Sequence, residues 1–285
     1  MLTSLLAYLF YSHQNGPRLG EMAEKEEQLP FLKKLSIFMK LNKEERGWLV
    51  NAGKDPFSVS SGEEIIHASS TDKSVYLLLS GWACRFKLLP DGRRQILNIV
   101  LPGDFMGLRA GLFGMTDHSV FTLTDCQVAT VPAQSIAELF GTLPRLAMAI
   151  TWSTAREEAM LAEHLVSLGR RNAYERTAHL LMELWKRLQV IDQADGKSFD
   201  FPITQELLGD LLGLSVVHVN RTLRALRKDG LIDYESGSVR ILKPQAVLNT
   251  SAFDSAHIDK NEVPASIDNK LDDLELLQRK DGRPS

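Results

Sequence analysis

Hydrophobic positions along this chain change period three times, and each change marks a boundary. Between Leu41 and Val50 they follow a helical spacing, with Asn42 as N-cap and Glu45 three residues on as its capping-box partner. From Pro56 to Val131 the pattern becomes short runs: EEIIHA, SVYLLLSG, ACRFKLL, QILNIV, SVFTLT and CQVATVP. Turn signals separate them. Pro90-Asp91-Gly92 joins two of the runs as a hairpin, since proline sets φ and glycine accepts a positive one. Many short strands at this spacing predict an antiparallel sandwich or barrel.

From residue 134 to 168 the period returns to helical and the run is long. Pro144 falls near the start of its main part, where proline is tolerated. Met148, Trp152, Ala155, Ala159, Ala162 and Val166 follow an alternating four-three spacing. Leu143, Ala147, Ile150, Thr154, Glu157, Leu161, His164 and Leu168 follow it on a neighbouring face. Two apolar seams mean two surfaces to bury. One assignment packs one seam on the chain's own β domain and the other on a second copy; a single broad core face in a monomer is the alternative. The spacing favours a homodimer and leaves open which seam forms it.

Gly169 to Arg171 reads as a hinge and Ala173 to Leu188 as an amphipathic helix. The polar turn region 191–200 leads into a short strand, FDFPI. Then comes Thr204 to Leu231, TQELLGDLLGLSVVHVNRTLRALRKDGL, which reads as two helices joined by a tight turn. Thr204 caps the first helix, Gly213 ends it at a C′ position, and Ser215 caps the second. Val219, Leu223 and Leu226 form an apolar back. Val217, Asn220, Arg221, Arg224 and Lys228 form a front, and no acidic residue occurs from Gly213 to Lys228. A basic front on a packed helix faces phosphates. LIDYESGSVRIL follows as a hairpin with Ser236 and Gly237 at its tip, the wing of a winged helix.

This layout assigns base contacts to Val216, Val217, Asn220 and Arg221. Arginine reaches O6 and N7 of guanine bidentately, and valine offers contact to a thymine methyl. Thr204, Gln205, Ser215, His218, Arg224, Ser236 and Gly237 are assigned to the DNA backbone.

Composition changes this picture little. The chain has 285 residues, is 44% hydrophobic and 24% charged, and carries a formal net charge of −3. That excludes a protein coated with positive charge but not a local basic stripe. Cys84 and Cys126 are far apart and in no CxxC pair, which argues against a zinc or all-cysteine iron–sulfur site and fits a reduced cytoplasm. The apolar start, MLTSLLAYLFYSH, is too short to cross a membrane, lacks a signal peptide's positive n-region, and reads as a docked or frayed helix.

The strings SG at 61–62, LLLSGWACRF at 77–86, LPGDFMG at 101–107, GLF at 111–113 and TQELLGDLLGLSVVHVNRTLRALRKDGLI at 204–232 resemble the cyclic-AMP receptor/fumarate-nitrate regulator (Crp/Fnr) superfamily of bacterial transcription factors. The resemblance covers about residues 31 to 245. It implies an α+β chain: an N-terminal antiparallel β-roll (a cyclic-nucleotide-binding-like jelly roll), a long dimerisation helix and a C-terminal winged helix-turn-helix. The domain reading is an extension at 1–30, the β-roll sensor-like domain at 31–133, the dimerisation helix at 134–168, the DNA-binding domain at 169–248 and a mostly disordered tail at 249–285.

The resemblance also implies a non-enzymatic homodimer on a two-fold symmetric double-stranded DNA site, with RNA polymerase as a further partner, in the cytoplasm and off the membrane. Arg221 matches the family arginine that reads guanine, whereas Val217 stands where a Glu is common. The effector pocket falls on Gly107, Leu108, Arg109, His118 and Ser119. Cyclic-AMP binders carry a Glu where Leu108 stands and an Arg-Ser pair where His118-Ser119 stands, so cyclic AMP is not expected, although Arg109 is one position from that Glu's slot. Oxygen sensors of the family hold an iron–sulfur cluster on N-terminal cysteines, and no cysteine here precedes Cys84, so no cofactor is predicted. Two other classes compete: a ligand-binding module acting through protein contacts, and a cupin-type metal enzyme. The latter needs a close HxH pair and a following Glu, where only the isolated His67 and His118 occur.

Overall fold

In the computed structural model, the described residues are 28–254, apart from 69, 72, 73, 115 and 236, together with 263–280. Two helices open the chain, α1 (Pro30–Ser36) and α2 (Lys43–Ala52). Both halves of the Asn42–Glu45 capping box form. Eight strands follow: β1 (Phe57–Val59), β2 (Glu64–Ile66), β3 (Val75–Ser80), β4 (Ala83–Leu88), β5 (Arg94–Val100), β6 (Phe105–Met106), β7 (Ser119–Thr122) and β8 (Cys126–Val131). The short helix α3 (Leu108–Phe113) lies between β6 and β7. The strands form two antiparallel sheets, ordered β1-β8-β3-β6 and β2-β7-β4-β5. This is the predicted β-roll.

The alternation of side chains along each strand decides what every face covers. Leu78, Met106 and Val128 of one sheet pack against Ala83, Val100 and Val120 of the other. One residue away, Leu77 and Leu79 point to the outer face and meet Phe31, Leu35, Leu49 and Leu146. Strand β3 therefore carries the unbroken leucine run 77–79 because both its faces are covered there.

The helical run is broken once. Leu143, the residue before Pro144, is pushed out of the helical region (φ −131°, ψ 69°), separating α4 (Ala133–Thr142) from α5 (Pro144–Arg170). Along α5, Leu146, Ala149, Ser153, Arg156, Met160 and Ser167 are buried in the chain's own fold. The two seams have different fates. In the first, Trp152 stacks on Phe38 at 4.9 Å, while Ala155, Ala162 and Val166 stay exposed. In the second, Ala147 and Ile150 are buried, while Thr154, Leu161 and Leu168 line a cleft.

Helix α5 continues through Gly169 and Arg170. The chain leaves it at Arg171, and Asn172 caps α6 (Ala173–Val190) with its own capping box to Glu175. Beyond lie β9 (Ala194–Asp195), β10 (Ser198–Asp200), α7 (Gln205–Leu212), α8 (Val216–Lys228), β11 (Ile232–Glu235), β12 (Ser238–Ile241) and α9 (Pro244–Ser251). The four strands form one sheet, β11-β12-β10-β9.

The hinge does not leave the two halves apart. Trp82, Cys84, Phe86, Ile96 and Ile99, on the outer face of the second β-roll sheet, share one apolar core with Leu180, Leu181, Leu184, Leu208 and Leu211.

The reading of 249–285 as a mostly disordered tail needs correction. Helix α9 runs to Ser251, and Phe253 lies 4.9 Å from the His179 ring. Ala265–Lys280 forms helix α10, with Leu271 buried and Arg145 of α5 pairing with Asp268 (2.8 Å) and Asp272. A tertiary contact, one leucine and two carboxylates wide, supplies what the segment's polar composition conceals. Of the extension at 1–30, only residues 28–30 lie within the described part, and the helix expected in 1–13 lies outside it.

Candidate nucleic-acid interface

The turn between α7 and α8 is built by backbone geometry. Thr204 Oγ1 accepts from Leu207 N at 3.2 Å, capping α7. Gly213 ends α7 in the left-handed region at φ 62°, as expected for a C′ residue. Leu214 N then donates back to Gly209 O at 3.0 Å. This return is so tight that a Cβ at 209 would lie 2.6 Å from Leu214 O. Ser215 Oγ accepts from His218 N at 3.3 Å and starts α8.

Helix α8 buries Val219, Thr222, Leu223 and Leu226. Its N-terminal turn projects outward, with Val216 44% and Val217 79% exposed. Arg221, Arg224 and Lys228 are exposed along the same side, and His218 is half-buried. At the far end, Tyr174 Oη donates to Asp229 Oδ2 at 2.7 Å, tying α6 to the C-cap of α8.

Two of the predicted contacts, Asn220 and Gln205, are engaged with each other in the free protein. Asn220 Nδ2 donates to Gln205 Oε1 and to Val216 O (3.3 Å), so its amide joins α8 to α7. Reading adenine requires a free Nδ2–H with Oδ1 beside it. In this arrangement Asn220 and Gln205 hold the crossing of the two helices. The wing pairs Glu235 with Ser238, leaving exposed Gly237 at its tip; Ser236 lies outside the described residues.

Arg176 is a positioning residue that sequence reasoning missed. Its Nη1 donates to Leu212 O, and its Nη2 donates to Leu168 O (3.2 Å) and Arg171 O (3.0 Å). One guanidinium on α6 thus satisfies helix-end carbonyls of α5 and α7 and braces the hinge at Arg171. Only the basic residue near Gly169-Arg170-Arg171 hints at it in the sequence.

The pocket residues lie apart from this surface. Gly107, Leu108, Arg109 and His118 line a cleft of about 880 Å³ between the β-roll, α5 and α7. Ser119 is not on its wall; buried, it accepts from Ala68 N at 3.0 Å through Oγ. The mouth is charged but balanced, with Arg85, Lys87 and Arg109 facing Asp117, Glu157 and Glu158. Asp117 binds Arg109 (2.9 Å), His118 (2.9 Å) and Lys87 (3.3 Å). Burial opposes ionisation of Asp117, but hydrogen bonds from His118 and Lys87 outweigh it and hold the carboxyl at about 2. Burial, then the Arg85 charge, lowers the His118 imidazole. The floor is apolar, with Leu161, Leu168 and Leu211. Burial pushes the Cys84 thiol to about 12 and the Cys126 thiol to about 11, so neither is a ready thiolate. Among the described residues, no three metal-ligating side chains converge, and no helix is long and apolar enough to cross a membrane.

Residues 56–142 match the cyclic nucleotide-binding domain and residues 175–249 the Crp-like helix-turn-helix domain. The chain is 34% identical over 189 residues to the nitrogen fixation regulation protein FixK of Bradyrhizobium diazoefficiens, spanning 66% of this chain and 78% of that one. It belongs to the Crp/Fnr family. The transcriptional activatory protein AadR of Rhodopseudomonas palustris is 32% identical over 184 residues, covering 64% of this chain and 75% of its own. The solved structure of FixK2 from Bradyrhizobium japonicum superposes with a TM-score of 0.63 at 30% identity, over 70% of this chain and 98% of that one. As a Crp/Fnr member the chain is a helix-turn-helix transcription regulator with a cyclic-nucleotide-binding-like domain.

Proposed function

We propose that this regulator acts as a homodimer on a two-fold symmetric DNA site, with α8 in the major groove. The observation that carries this reading is the outward face of α8. Val217 and Arg221 stand one turn apart in solvent on a helix whose back is fully packed. Arg221 reads guanine, Val216 and Val217 contact thymine methyls, and Thr204, Ser215, His218, Arg224 and the wing tip hold phosphates. Gln205 and Asn220 shape the reading head in the free protein.

The dimer forms along Ala155, Ala162, Leu165 and Val166 of α5. Leu165 is 71% exposed in the single chain and Val166 45%, on a helix otherwise packed for most of its length. The cleft lined by Gly107, Leu108, Arg109 and His118 takes the effector. Its charged mouth and apolar leucines suit a ligand with a polar end and an apolar body, and Leu108 offers no acceptor to a ribose hydroxyl. The regulator works in the cytoplasm, without enzymatic activity, and contacts RNA polymerase at its promoters.

Selection from random duplexes at low salt tests this reading. A palindrome whose half-sites lie about one helical turn apart is the expected product. Enrichment of no sequence, with cell extract supplied as an effector source, would leave a module that acts through protein contacts.

A further inference from the structure

His164 lies where three parts of the chain meet. It is carried by α5, less than two turns before the chain leaves that helix at Arg171. Its Nδ1 stands 3.0 Å from the backbone carbonyl of Leu97 on β5. Its Nε2 stands 2.8 Å from a carboxylate oxygen of Glu183 on α6, the first helix of the DNA-binding domain. A carbonyl oxygen only accepts a hydrogen bond, and so does an ionised carboxylate. A neutral imidazole has one N–H and one lone pair, so one of these contacts would set a lone pair against an acceptor. Only the imidazolium donates to both.

The large cleft that His164 lines also carries Arg85 and Lys87 of β4, Arg109 of α3, Asp117 and His118, and Glu157 and Glu158 of α5. On α6 the titratable and charged neighbours are Glu183, Arg187 and His179, with Arg176 lining a small cavity shared with His164 and His179. On α5, Glu163 lies next to His164 in sequence and pairs with Arg171 at 2.9 Å, with His179 Nε2 at 3.5 Å. Helix α7 contributes the apolar Leu211 and Leu212. The β-roll contributes Asp104, which reaches the group through Arg187 at 3.2 Å and is itself paired with Lys34 of α1. Arg187 also bonds Glu183 at 3.2 Å and Ile99 O at 2.7 Å. A polar seam thus crosses the apolar contact between sensor sheet and DNA-binding domain, and His164 is its outer end.

We propose that His164, as an imidazolium, is a positioning residue that clamps the DNA-binding domain onto the β-roll, and that loss of its proton frees that domain to turn about Arg171–Asn172. Burial alone lowers the basicity of this ring, but the Glu183 charge and the two hydrogen bonds outweigh burial and raise it above the ordinary 6.5. A folded-state value above the unfolded one gives stability that is complete below about 6.5 and lost as pH rises through the folded value. The clamp is closed in acid and opens towards alkali.

Hydrogen exchange of backbone amides 164–173 in the full-length protein tests this, corrected for intrinsic rates from about pH 6 to about pH 9. In the wild type, protection falls at least about tenfold across the titration of one ring, as followed by the NMR shift of labelled His164. In His164→Gln it is flat over the same range. In Glu183→Gln, which keeps the shape and removes the charge, the midpoint moves to lower pH. The same pH dependence in wild type and His164→Gln overturns the proposal. If His164→Gln does not fold, the NMR shift decides alone: a ring already neutral at about pH 6 overturns it.

Discussion

Arg94 and Asp210 are joined through one oxygen: Nε and Nη2 of the arginine lie 2.8 and 2.7 Å from Oδ2 of the aspartate. Arg94 begins β5 of the sensor sheet, and Asp210 sits on the first helix of the helix-turn-helix. The pair is about three-quarters buried, with side chains 27% and 26% exposed, and the same guanidinium stands 5.2 Å from the centre of the Phe121 ring. A partly exposed ion pair contributes up to about 1 kcal/mol, and a cation–π contact adds about 0.5–1 kcal/mol. Arg94→Ala therefore costs about 1–2 kcal/mol in urea unfolding, and Asp210→Asn costs less because the ring contact survives. A double-mutant cycle reads the coupling directly. A coupling of zero means that this pair does not help to hold the two halves together.

Base reading divides between two exposed residues. Arg221→Ala weakens specific binding by about 1–3 kcal/mol per half-site and relaxes preference at one base pair of each. Val217→Glu restores the side chain common in the family and changes the preferred base at a position of its own. Because Val217 is 79% exposed, its replacement leaves the unfolding midpoint within error. Parallel selections with the two variants show whether the altered positions differ, as required.

Arg224 has a separate signature. A phosphate contact contributes about 0.9 to the slope of log affinity against log salt. A homodimer presents the residue twice, so Arg224→Ala lowers the slope by about 1.8 and weakens all sequences alike. A slope unchanged between wild type and variant places Arg224 off the phosphates.

Acid weakens the fold through α6. Glu183 is 1% exposed; burial disfavours its charge, but His164 and Arg187 outweigh burial and hold it at about 2. Its folded-state value lies below its ordinary 4.5, so it contributes stability above that value, lost as pH falls from about 4.5 towards about 2. His179 acts in the same direction at milder pH. Burial, then Arg171, lowers it from 6.5 to about 4, so unfolding takes up a proton between those values. Urea midpoints fall in two stages between about pH 6.5 and about pH 2, and His179→Phe removes the first.

The local parts of this fold were legible because local chemistry dictates them. Asn42, Thr204 and Ser215 cap where their spacing to the next apolar run says they should, and Gly213 turns the chain where leucines stop. The two seams of α5 were visible from spacing alone. Their assignment was not, because Phe38 covers Trp152 from more than a hundred residues away. The same holds for Lys34, Asp104 and Arg187, three charges in separate elements that meet inside the core. Asn220 has a partner in the free protein that its position alone did not reveal. Its place on the front of α8 suits a base contact, and only the approach of Gln205 shows its amide already engaged. In α10 the apolar positions are few, and Arg145 as partner lies far back in the chain.

Gly209 gives the reading head its pitch by omission. Where any other residue would put a methyl, 2.6 Å from Leu214 O, the backbone of the turn folds back instead. Alanine there would suit helix α7 better by about 1 kcal/mol and would still wedge α8 away from it. The angle at which Val217 and Arg221 are offered to a groove thus depends on one missing carbon buried beneath them, at a position no ligand or base touches.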